Sequence, residues 1–249
     1  MKIKLLPILL VLFTCLVHAE DKKDMPVCLL TGFDPFGGAD RNPSWDAIER
    51  LQGTELNGFR IECVQLPVVY DEMAKPLEEA IQKFKPRAVI CFGQGGPVFS
   101  VETIALNGYN KNKYPDNKGK PPSREEIIPK GKASLETSLP AEKIVEALNA
   151  AKYHAILSKN AGGYLCNECF YRLMAVPRGK IDPDPTPAGV GQEQPDRALI
   201  CRGFVHVPIL NSKNNLGGSG DLFTLCIIEL GVRVVIDETL KSLAPRYSK

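Results

Sequence analysis

The stretch HAILSKNAGGYLCNECFYRLMAV, residues 154–176, decides how the chain reads. Its opening, His154 to Ser158, is short and largely apolar, as a strand of a covered sheet would be. Leu165 to Val176 reads as a short amphipathic helix, and the Gly162-Gly163 pair between them permits a sharp turn. Strand, tight loop and helix form the repeating unit of an α/β sheet. Cys166 stands at the start of that helix. A thiol there feels unpaired backbone N–H groups and the positive end of the helix dipole, both of which favour the thiolate. Cysteines are more often buried structural residues, so Cys166 needs a base within reach before it reads as a nucleophile.

The same alternation runs upstream. Val27 to Thr31 is an apolar strand that breaks at the glycine-rich TGFDPFGG. Asn42 and Pro43 supply an N-cap and a first helical position for a helix over Ser44 to Leu51. A second strand spans Phe59 to Leu66, a helix runs from about Pro76 to Phe84, and Arg87 to Phe92 is a third strand. Val98 to Asn107 alternates like a strand and carries Glu102, a residue type that ordinarily faces solvent. Gly108 to Lys132, with Pro115, Pro121, Pro122 and Pro129, reads as an ordered loop able to cover a site. Pro140 opens a helix to about Ala151. Downstream of the cysteine, Pro177 to Ala198 holds five prolines and three glycines and reads as a surface insertion. Cys201 to Val207 is a strand, and Ser219 caps a closing helix to about Leu240. The predicted fold is a single-domain α/β/α sandwich with an open, mostly parallel or mixed sheet.

Composition agrees with one such domain: 249 residues, 44% hydrophobic and 24% charged, enough for a substantial core. Residues 1–19 have the form of an export signal. Lys2 and Lys4 precede an apolar run from Leu5 to Val17, and Val17-His18-Ala19 fits a cleavage site before Glu20. The run is short for a membrane span, so the expected product is an exported protein cut after about Ala19, with residues 20–249 as its domain and no membrane attachment afterwards. Loss of Lys2 and Lys4 would take 31 basic side chains to 29, equal to the 29 acidic ones. No basic surface for nucleic acid is expected. Of 8 cysteines, all but Cys15 would remain, an odd set that leaves at least one thiol unpaired within a single chain.

Three motifs compete for the chemistry. GQGGP, after the third strand, has the look of a phosphate-cradling loop but lacks both the dinucleotide spacing and the Walker lysine. Cys166 and Cys169 form a CxxC, the spacing of thiol–disulfide oxidoreductases, without the other marks of that fold. No second CxxC or paired histidines complete a zinc site; no metal or cofactor is expected. His206, at the end of a strand and just before Pro208, stands where open α/β sheets gather their ligands. A neutral imidazole can accept a thiol proton and return it to a leaving amine, with a carboxylate fixing its tautomer. Cys166, His206 and Glu102 could fill those roles, although no local rule brings them together.

TGFDPFGG with NPSW, Gln94 in GQGG, Glu102 in VETIALN, YPDN, Cys166 in NAGGYLCN and His206 in GFVHVP, taken in order, resemble the pyroglutamyl peptidase I family of cysteine peptidases. The resemblance spans nearly all of the chain after the leader. It implies hydrolysis of an N-terminal pyroglutamyl residue from peptides, with Cys166 as nucleophile, His206 as general acid and base, and Glu102 as the carboxylate that orients the histidine. Phe33, Phe36, Tyr164 and Leu165 match positions lining the pyroglutamyl pocket. A neutral lactam has apolar ring faces, one N–H and one C=O, so aromatic walls with a few polar partners such as Gln94 suit it. Lys113 stands where the family carries arginine, a cation without the planar two-pronged donor. Two readings stay beside the peptidase: a binding protein for pyroglutamyl peptides with little turnover, resting on Lys113 and the 177–198 insertion, and a CxxC oxidoreductase. A homo-oligomer is left open.

Overall fold

The computed structural model describes residues 25–110, 112, 114–177, 201–212 and 222–243. The leader-like residues 1–19, Lys113, Ser219 and all of the 177–198 insertion except Pro177 lie outside the described residues. Among the described residues, nine strands run in chain order: β1 (Val27–Phe33), β2 (Glu55–Leu56), β3 (Phe59–Leu66), β4 (Ala88–Gln94), β5 (Phe99–Glu102), β6 (Ile104–Leu106), β7 (Ser134–Glu136), β8 (Ala155–Ser158) and β9 (Cys201–Val207). The α-helices described there are α1 (Pro43–Asp46), α2 (Ala74–Phe84), α3 (Ala141–Ala150), α4 (Leu165–Ala175) and α5 (Leu225–Lys241).

The main sheet has seven strands in the order β2-β3-β1-β4-β9-β5-β8. Pairings from β3 to β9 are parallel, β5 runs antiparallel to β9, and β8 is parallel to β5. β9, the last strand in the described chain, therefore occupies the middle of the sheet, between β4 and β5. Alternation along the strands feeds two cores. Cys28 and Leu30 of β1 and Ala88, Ile90 and Phe92 of β4 join the side chains of α3 and α5 on one face. Leu29 and Phe33, with Val89 and Cys91, join α2 and α4 on the other. Both faces are covered, which is why β1 and β4 read as unbroken apolar runs rather than as alternating ones.

Several elements differ from the expectation. The helix over residues 44–51 is interrupted: α1 ends at Asp46 and a 3₁₀ turn covers Glu49–Leu51. Asn42 is the expected cap, its Oδ1 accepting the Ser44 N–H at 3.1 Å. Beyond it, Ile48 N–H bonds Trp45 O and Leu51 N–H bonds Ile48 O, three-residue spacings that seat Ile48 and Leu51 in the core at the expense of a regular helix. The strand over 98–107 is two strands. Thr103 turns the chain out of the main sheet, its N–H bonding Ser158 O, and β6 pairs with β7 in a small antiparallel sheet. Neither β7 nor the two-residue β2 is signalled by periodicity. The closing helix starts at Leu225, with Thr224 as its cap in place of Ser219.

Candidate active site

At the C-terminal end of β8 the chain passes through Gly162 and Gly163, with φ of 96° and 73°, a left-handed pair that L side chains adopt only under strain. The Gly163 carbonyl accepts the Asn110 N–H at 2.7 Å. Tyr164 then takes extended backbone as the N-cap, and Cys166 follows as the second residue of α4. β8 runs opposite to β4 and β9, and the loop brings the thiol back to the end of the sheet where those two strands finish, beside Gly93.

His206 is the penultimate residue of β9. On the neighbouring antiparallel strand, Ser100 pairs with His206 and Glu102 with Phe204, so the glutamate and the histidine are diagonal neighbours on one face. Glu102 Oε1 lies 2.9 Å from His206 Nδ1. The carboxylate is 1% exposed, against the general tendency of glutamates to face solvent, and the strand pairing is the reason. Cys166 acts on the titration of the same imidazole; with Nδ1 engaged by Glu102, Nε2 is the nitrogen left to serve it. Burial by itself would lower the His206 pKa, but the charge and hydrogen bond of Cys166, reinforced by those of Glu102, raise it to about 10. The ring rests edge-on against Phe204, centroids 5.0 Å apart.

The glycines of GQGGP acquire a role in this geometry. A Cβ on Gly93 would stand 2.9 Å from Cys166 Sγ, and one on Gly95 would stand 2.6 Å from His206 Cβ. Both distances are shorter than side chains tolerate, so the glycines provide room for the thiol and the imidazole. That accounts for the motif without a phosphate.

Beside Cys166 lies a cleft of about 240 Å³ lined by Phe33, Phe36, Val68, Tyr164 and Leu165, with Asn42 and Gln94 as polar members. Phe33, Phe36, Gln94, Tyr164 and Leu165 are thus brought together in one cleft. Asn42 and Val68 are additions. Asn42 carries a capping signal that hides a second use, and Val68 belongs to an apolar run that looks like core. Phe33 serves both purposes: it is 3% exposed and its ring lies 6.5 Å from that of Phe204. A larger cleft, about 610 Å³, lies between α2 and the C-terminal end of α4 near Arg172 and Val176; it holds none of the chemically competent groups, so size does not identify the site.

The CxxC pair is split between two environments. Cys169 is fully buried, and burial, reinforced by Cys91, pushes its thiol well above the ordinary range. Cys166 is partly exposed at the cleft. The described cysteines are free thiols. Among the described residues, no three His, Cys, Asp or Glu side chains gather as a metal site requires.

The chain is similar to known proteins. Residues 26–185 match the family model described as pyroglutamyl peptidase. A pyrrolidone-carboxylate peptidase of Bacillus licheniformis is 40% identical over 184 residues, 73% of this chain and 78% of the relative. Pyrrolidone-carboxylate peptidase 1 of Photorhabdus laumondii is 32% identical over 88% of this chain and 94% of its own. Among solved structures, pyroglutamyl peptidase I of Bacillus amyloliquefaciens superposes with a TM-score of 0.70 at 32% identity, covering 87% of this chain and 97% of that one. A pyrrolidone carboxyl peptidase variant from Pyrococcus furiosus gives 0.72 at 27% identity, with 87% and 99% covered.

Proposed function

This chain belongs to the pyroglutamyl peptidase family of cysteine peptidases, and from that premise we propose that it removes N-terminal pyroglutamate through Cys166, His206 and Glu102. The observation that carries the assignment of roles is the Glu102–His206 hydrogen bond with Cys166 beside it, the thiol against Gly93 and the imidazole against Gly95, at the mouth of an aromatic cleft. The lactam ring lies between Phe33, Phe36 and Tyr164, with Gln94 as its polar partner, and its exocyclic carbonyl faces the sulfur. Cys166 thiolate attacks that carbon while His206 holds the proton as imidazolium. The tetrahedral intermediate collapses, the C–N bond breaks, and His206 passes its proton to the leaving peptide amine. Water then adds to the thioester with the now neutral His206 as base, releasing pyroglutamate and the thiol. Glu102, bonded to Nδ1, keeps Nε2 directed at the sulfur and stabilises the imidazolium.

Sealed burial of Cys169 favours the peptidase over a dithiol oxidoreductase, in which the second thiol must reach a mixed disulfide. The test is turnover of a fluorogenic pyroglutamyl amide by the purified protein. Cys166→Ala should abolish it, by roughly four orders of magnitude or more by analogy with nucleophile deletions, with an unchanged melting curve. Wild-type-like turnover in that variant would overturn the assignment. Residues 1–19 further support export; the expected check is a secreted product whose N-terminal sequence starts near Glu20.

A further inference from the structure

YPDN, residues 114–117, takes no part in the chemistry above, and it lines no wall of the cleft. Its hydrogen bonds nevertheless reach each loop that does. The Asn117 side chain donates to Pro35 O at 2.8 Å, one residue before Phe36. The Asn117 backbone N–H donates to Val68 O at 3.0 Å. Pro115 O accepts the Tyr164 hydroxyl at 3.0 Å, and Tyr114 O accepts the Tyr70 hydroxyl at 3.1 Å. Tyr70 in turn meets the Tyr164 ring edge-on at 5.7 Å.

Asp116 makes the turn rigid. Its carboxylate is 7% exposed; Oδ1 accepts the N–H groups of Lys118 and Lys120, and Oδ2 accepts that of Tyr70. Folding the side chain back onto its own backbone in this way closes a turn and fixes its carbonyls. Phe36, Val68 and Tyr164 come from three loops with no shared secondary structure, and a small rigid lactam is held only if the gap between them is constant.

We infer that the 114–117 turn is the positioning element of the recognition cleft, and that Asn117, although exposed, sets substrate affinity from outside it. The inference rests on the peptidase reading and deepens it. An exposed asparagine replaced by alanine is ordinarily neutral. Here Asn117→Ala should raise KM for the pyroglutamyl amide by roughly three- to tenfold, leave kcat within about twofold, and leave the melting temperature unchanged, because it alters ground-state and transition-state binding alike.

Occupancy can be read without turnover. Iodoacetamide alkylates Cys166, and pyroglutamic acid in the cleft should protect it; the concentration giving half-protection should rise in Asn117→Ala by the same factor as KM, while the unprotected alkylation rate stays at the wild-type value. Tyr164→Phe, which keeps the ring and loses only the bond to Pro115, is the second variant and should shift half-protection in the same direction. Unchanged KM and half-protection in both variants of an active enzyme, or a loss confined to kcat, would overturn the inference alone. A wild-type protein that neither turns over the amide nor is protected by pyroglutamic acid would overturn the peptidase reading, and this one with it.

Discussion

Glu102 and His206 stand on adjacent strands whose backbones are laddered together, whereas Phe36, Val68 and Tyr164 stand on loops tied to one another by ring contacts and by the hydrogen bonds of the 114–117 turn. The difference follows from what each half of the cleft has to do. Proton transfer between sulfur and imidazole tolerates little displacement, so its groups sit on elements that cannot shift independently. Holding a ring between apolar walls depends on area and spacing, which loops can supply if something ties them. Damage to the first half should therefore appear in kcat, and damage to the second in KM.

The sharpest probe of the strand-borne half is Glu102→Gln. Nδ1 loses its ionic partner while the shape is kept, and kcat should fall roughly ten- to a thousandfold with KM nearly constant, less than for a serine nucleophile because a thiol ionises more readily. Steady-state kinetics on the pyroglutamyl amide decide it; a variant retaining more than half the wild-type kcat would mean that another group orients His206.

Next in size is Gly95→Ala. The added methyl must displace His206 at its Cβ, and since β4 and β9 are paired as far as Gln94 and Val207, the strand has little freedom to retreat. A loss of about ten- to a hundredfold in kcat is expected from the misplaced imidazole. A loss seen only in KM would contradict the division between the two halves.

The pH profile tests the same half more gently. Because Cys166 and Glu102 raise His206 to about 10 despite its burial, the proton needed by the leaving amine should persist through the alkaline range, and kcat/KM should decline only as pH passes that value. Removing Glu102 takes away one of the raising influences, so the basic limb of Glu102→Gln should move toward lower pH. A limb that stays in place would remove the carboxylate from the mechanism.

The smallest change belongs to Cys169→Ala. Its sulfur is buried against Cys91, and the substitution should cost about 1 kcal/mol of stability through the vacated volume while leaving both kcat and KM within about twofold. Denaturant melts and kinetics together check this. A large loss of activity at normal stability would restore a chemical role to the CxxC pair.

Sequence reached the loop-borne half and the strand-borne half unequally. Phe59–Leu66 and Cys201–Val207 match their strands because each is a short segment rich in apolar residues and stopped by a proline, Pro67 or Pro208, a signal local to the segment. Cys166 was legible for the same local reason, a glycine pair before a helix. The burial of Glu102 was not, because its partner is 104 positions away and only the antiparallel pairing of β5 with β9 brings them together. Apart from motif resemblance, nothing in the sequence joins Tyr164 to Pro115 or Asn117 to Pro35. The small β6–β7 sheet escaped because two three-residue strands carry too little periodicity to read.

The place of β9 in the sheet also fixes when activity can begin. As the chain is synthesised, β4 and β5 are complete long before residues 201–207 exist, and until that strand arrives their facing edges have no partner in the sheet. Its insertion supplies His206 and closes the gap in one event. On the proposed mechanism the thiol of a nascent chain would lack its base until the strand order is complete, which would couple peptidase competence to a long-range step of folding.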